Sequence, residues 1–67
     1  MKRNWLIEAR NNKGLTQSDV ASRLGLTRQM ISAIEKGSTP SVQTAMKMGE
    51  VLGFDWTRFF VEEQKGA

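Results

Sequence analysis

Apolar residues in this chain recur at helical spacing, and the stripes they draw predict five short helices. Trp5, Leu6 and Ala9, with Ile7 beside them, mark a first helix from 4 or 5 to about 12. Val20, Ala21 and Leu24 mark a second over 17–24, and Ile31 with Ile34 the inward stripe of a third over 28–36. Val42, Ala45, Gly49 and Leu52, with Met48 beside them, share one face of a fourth helix ending near 52. Met46 and Val51 fall off that stripe. Trp56 and Phe59 close the core from a fifth helix over 56–61, which leaves Phe60 and Val61 as surplus apolar surface.

The residues between the stripes are helix punctuation. Thr16 followed three residues later by Asp19 is a capping pair, whose side chains satisfy backbone N–H groups that lack helical partners. Gly25 stands where a left-handed backbone is needed to stop the second helix. Leu26 plugs the corner, Thr27 caps the third helix, and Gly37 ends it. Gly14 ends the first helix, and Leu15 turns the chain inward. Ser38, Thr39 and Pro40 form a loop, because proline disfavours helix in the residue before it. Ser41 caps the fourth helix, Gly53 and Phe54 turn, and Asp55 caps the fifth. Gly49 is anomalous. In a helix interior it costs about 1 kcal/mol against alanine, so it predicts close backbone packing on Trp56 or Trp5. The polar ends, 1–4 and 62–67, read as loose, with Lys2 and Arg3 able to reach a phosphate.

At 67 residues the chain has room for one domain, with an ordered core over about 4–61. A core this small is marginal alone and gains from pairing. With no cysteine and no histidine, disulfides, thiolate metal sites and the commonest metal ligand and general base are excluded. No signal-like or membrane-spanning apolar run occurs, so a cytoplasmic location is the expectation. The net charge of +3 is unevenly placed. Residues 1–38 hold seven Lys/Arg against three acids, whereas residues 39–67 hold three against four. The positive half is the one that carries the capped pair of helices, as a phosphate partner requires.

Two short helices joined by a glycine corner, with Ala21 small where they cross, match the helix-turn-helix unit. From about residue 6 to 60 the chain resembles the Cro/C1-type (XRE-like) family of bacterial and phage DNA-binding regulators. The residues that carry the resemblance are Arg10, Gly14-Leu15-Thr16-Gln17, Val20-Ala21, Leu24-Gly25, Thr27 through Gly37, Pro40-Ser41 and Leu52-Gly53. The resemblance implies an all-α fold, a compact five-helix bundle of lambda-repressor-like type. It implies a nucleoid-associated partner of double-stranded DNA, with no cofactor, small-molecule ligand or membrane partner. It also implies an ion pair between Arg10 and Glu35. Arg10 as a plain phosphate contact is the other reading.

With Ile31 and Ile34 inward, the outward face of the third helix holds Arg28, Gln29, Ser32, Ala33 and Lys36. Arg28 and Gln29 sit in the first turn, the part that meets base edges in this family. Arginine can grip guanine, and glutamine adenine, through paired hydrogen bonds. Ser32 can bond a base or a phosphate, and Ala33 offers a methyl to thymine. Met30 pads the corner or touches a sugar. Gln17 matches the family's glutamine that touches phosphate and braces the recognition helix. Thr16 and Thr27 are candidates to offer backbone N–H groups to phosphate, with Arg23, Lys36 and Ser38 as further contacts.

The family usually binds as symmetric dimers. The leftover apolar residues Phe60 and Val61, with Val51, Met46 and Trp56, mark a pairing surface. The function expected is a sequence-specific repressor of transcription acting at a palindromic operator. The alternatives are an antitoxin with the same fold and a protein-docking module. An enzyme is the poorest fit, for want of histidine, cysteine and a phosphate-cradling glycine loop.

Overall fold

The structure, a computed structural model, describes the backbone of residues 2–65 and the side chains of residues 2–61. Five helices follow in order: α1 (Asn4–Asn12), α2 (Gln17–Leu24), α3 (Arg28–Glu35), α4 (Val42–Leu52) and α5 (Arg58–Lys65). There is no strand among the described residues. The fold is the lambda-repressor-like helical bundle.

The core is drawn from every helix. Leu6, Val20, Ala21, Leu24, Ile31, Ile34, Ala45, Met48, Leu52 and Phe59 are all buried and in contact. Each fully buried large aliphatic or aromatic side chain contributes about 1.5–3 kcal/mol through removal from water. α2 packs on α3 and α4, and α1 packs on α3. An aromatic group closes the side formed by α1 and α5. Trp5 meets Phe54 edge-on at 5.1 Å and Phe59 at 5.2 Å.

The α2–α3 corner follows from its caps. Thr16 Oγ accepts from the Asp19 N–H at 3.1 Å, and Asp19 Oδ2 accepts from the Thr16 N–H at 2.8 Å. Gly25 is left-handed at φ 68°, a conformation in which any Cβ is strained. The Leu26 N–H then bonds back to Ala21 O at 2.9 Å, and its half-buried side chain packs against the core. Thr27 Oγ accepts from the Met30 N–H at 3.2 Å and opens α3.

Four expectations are corrected. Val42 is 52% exposed: it stands in the first turn of α4, before that helix reaches the core. The fifth helix begins at Arg58, not 56, because Asp55 Oδ1 takes both the Thr57 N–H and its hydroxyl in a tight turn. It then continues to Lys65, so 62–65 are helical rather than loose, while 66–67 lie outside the described residues. Most unexpected is Arg3, which is 2% exposed rather than free for a phosphate. Its guanidinium donates to the Ile34 and Ser38 carbonyls, both at 2.6 Å, and lies 5.1 Å from the Phe59 ring.

Gly49 is explained by its neighbours. A Cβ there would stand 2.7 Å from Phe54 O and 3.2 Å from Trp56 Cβ. Of the two tryptophans considered, Trp56 makes the close approach.

Candidate nucleic-acid interface

α3 is amphipathic across its two turns. Ile31, Ile34 and Glu35 are buried, while Arg28, Gln29, Met30, Ala33 and Lys36 are exposed and Ser32 is half-buried. No other part of the described chain covers the outward face. Arg28, Gln29, Ser32 and the half-buried Gln17 line one shallow depression of about 150 Å³. Two helices therefore bring four of the candidate contact residues to one place. Ala33 lies on another side of α3, where Met30, Ala33 and Pro40 help line a more apolar depression.

A shared carboxylate holds this arrangement. Glu35 is 3% exposed and accepts three hydrogen bonds. Arg10 Nε donates to Oε2 at 2.7 Å, Arg10 Nη2 to Oε1 at 3.3 Å, and Gln17 Nε2 to Oε1 at 3.0 Å. Arg10 Nη1 donates to Leu15 O at 3.0 Å as well. The Arg10 side chain is only 14% exposed, so of its two readings the structure shows the tie between α1 and α3. Desolvating two charges offsets much of their attraction, so the pair's clearest effect is positional. Gln17 donates an amide proton to Glu35, which orients its side chain beside α3.

The other candidate contacts are placed unequally. Arg23 is exposed in the last turn of α2, and Lys36 is exposed as the C-cap of α3. The Ser38 side chain is exposed, although its carbonyl is taken by Arg3. The Thr27 hydroxyl accepts from Met30 N–H and keeps its proton to donate. Thr16 is the correction: its backbone N–H is bonded to Asp19 and is not available to a phosphate. That bond, together with the Thr16 hydroxyl and then the charge of Arg23, holds the Asp19 carboxyl below the usual carboxylate range.

The candidate pairing residues divide. Val61 is 53% exposed and Met46 is 46% exposed. Phe60, Val51 and Trp56 are partly buried against the core, with Phe60 edge-on to Trp56 at 6.0 Å, so Phe60 is not surplus. Met46 and Trp56 share a groove with Gln43, Lys47 and Glu50.

A polar helix presented across a glycine corner, buried on one side and open on the other, defines a helix-turn-helix DNA-binding unit. The chain belongs to the Cro/C1-type helix-turn-helix family, whose model, described as "Helix-turn-helix", matches residues 6–59. It is similar to the HTH-type transcriptional regulator YqaF of Bacillus subtilis, at 48% identity over 61 residues, covering 90% of this chain and 80% of YqaF. An HTH-type transcriptional regulator of Methanothermobacter thermautotrophicus is 39% identical over 67 residues, covering 97% of each chain. The regulator PuuR of Escherichia coli is 38% identical over 61 residues, which span 90% of this chain but 33% of PuuR. No solved structure matches significantly. The family is one of DNA-binding transcriptional regulators and not an enzyme class. No helix among the described residues is long and apolar enough to cross a membrane.

Proposed function

We propose that this protein represses transcription by occupying a two-fold symmetric operator as a homodimer, with α3 of each copy in the major groove of one half-site. The observation that carries the reading is the open outward face of α3, with Arg28, Gln29 and half-buried Ser32 gathered beside Gln17. Arg28 reads guanine and Gln29 adenine through paired hydrogen bonds; Ser32 and Ala33 add a hydroxyl and a methyl contact. Gln17, Arg23, Lys36, Ser38 and the Thr16 and Thr27 hydroxyls hold phosphates, which set register and give salt-dependent affinity. The copies pair through Val61 and Met46 with the rims of Phe60, Trp56 and Val51, placing half-sites about one helical turn, ~34 Å, apart.

Selection of bound sites from random duplex DNA tests this. The expected result is a two-fold symmetric site. Arg28→Ala then costs about 1–3 kcal/mol on that site and relaxes preference at one base pair per half-site. Arg23→Ala weakens binding to all sequences alike and flattens the salt dependence. If no site is enriched, or if Arg28→Ala leaves the selected bases unchanged, the reading fails.

A further inference from the structure

The recognition helix is short. Its eight residues span about 12 Å, and Arg28 and Gln29, the first of the candidate base contacts, sit at its first turn. Its angle is therefore set by what holds its two ends. The first end is fixed by the corner: Gly25, the Leu26 bond to Ala21, and the Thr27 cap. The last turn is held by the buried Glu35 carboxylate, bonded to Arg10 and Gln17, and its end is closed by residue 3. The Arg3 backbone N–H donates to Glu35 O at 2.7 Å, and the Arg3 guanidinium donates to Ile34 O and Ser38 O at 2.6 Å each.

These carbonyls belong to the last turn of α3 and to the turn that leaves it. That is the negative end of the helix dipole, where a cation is favoured. One nitrogen of the planar guanidinium bridges two carbonyls 4 positions apart in the chain, beyond the last turn and within it. The same group stacks on Phe59, which is fully buried in α5 and packed against Trp5 and Phe54. Arg3 thus joins the end of α3 to the start of α1 and to α5.

We propose that Arg3 is a positioning residue for DNA reading: by clamping the far end of α3 to α1 and α5, it sets the angle at which Arg28 and Gln29 meet base edges. The inference rests on the proposed reading of α3 as the recognition helix. Contacts of this kind must be held to within about 0.5 Å and 10–20° to be productive. Without the Arg3 clamp the last turn keeps the Glu35 tie and its packing alone, so the axis of α3 is held less tightly about the corner and its outer side chains turn with it.

The test compares wild type with Arg3→Lys and Arg3→Gln. Lysine keeps the charge and the stem but not the planar fork. Glutamine keeps a planar donor without the charge. Affinity is measured for the selected site and for unrelated duplex DNA, at a temperature where circular dichroism shows each variant folded. Hydrogen exchange is followed at the Lys36 and Ser38 amides, which bond to Ser32 O and Ala33 O. The expected result is a fall of about tenfold in specific affinity for both variants, equivalent to about 1.4 kcal/mol. Non-specific affinity and its salt slope stay as in wild type, and the two amides exchange faster.

A variant with a lower melting temperature but a specific-to-nonspecific ratio within about twofold of wild type overturns the inference, since a fold-only role moves stability alone. So does failure of both variants to fold, which assigns Arg3 to the core and nothing more. A wild-type protein that prefers no sequence overturns the proposed function itself, and the inference falls with it. The wild-type control therefore separates the two failures.

Discussion

At the α2–α3 corner each backbone decision is made by a near neighbour. Thr16 and Asp19 cap each other, Leu26 returns to Ala21, and Thr27 takes the Met30 N–H. At the α4–α5 end the decisive contacts are between side chains brought from both ends of the chain. Phe59 packs on Trp5, and Arg58 lies 4.4 Å over the Trp5 ring. The corner is thus a locally written shape, and the far end is a closure that exists only once the bundle has formed. The difference assigns them different duties: the corner orients α3, and the closure anchors it.

The contrast fails first at Glu35, where the corner depends on α1. Glu35→Ala leaves Arg10 and Gln17 without their shared acceptor. Loss of one partner of a buried pair costs about 3–5 kcal/mol, and a urea titration should show it directly. A loss under about 1 kcal/mol would mean that solvent replaces the carboxylate without cost.

A smaller effect is expected at the far end. In Gly49→Ala the added Cβ must displace Phe54 O, which would stand 2.7 Å away. Overpacking costs about 1–3 kcal/mol, and the alanine's better helix propensity returns about 1, so a net loss of about 1 kcal/mol is expected. A higher urea midpoint in this variant would show that the α4–α5 turn yields freely.

The smallest effect sharpens the local side of the comparison. The Asp19 carboxyl is held below its ordinary 3.8 by the Thr16 N–H and hydroxyl. Its contribution to stability is therefore complete above that value and lost as pH falls through the lower, folded one. Asp19→Asn should be less stable than wild type at neutral pH, with the gap in melting temperature narrowing below pH 3.8 and closing further down. A gap that stays constant with pH would assign the effect to amide geometry rather than charge.

The same division explains what could be read from the chain alone. Capping pairs and a left-handed glycine act within four residues, so the corner, its caps and the limits of α2 stand in the sequence. The exposed face of α3 was legible because its period leaves it opposite Ile31 and Ile34. Arg3 was not, because a terminal arginine is indistinguishable from a solvated one until carbonyls 31 and 35 positions away surround it. Val42 misled because periodicity counts positions on a helix but not where the core begins along it. The start of α5 misled because Asp55 caps by the same chemistry whether the next residues turn or coil. The Thr16 N–H does not stand open to an anion because its own capping pair already supplies a carboxylate.

The side chains on the open face of α3 take no part in holding α3 in place. Ile31, Ile34 and Glu35 hold it from within, and Arg28, Gln29 and Ala33 hang outside. Replacements at such outer positions usually shift stability by no more than about 0.5 kcal/mol. On the proposed reading of α3, a lineage carrying this scaffold can therefore exchange one operator for another through changes at these outer positions, without first acquiring a reserve of foldedness. The alphabet is detachable from the page on which it is printed.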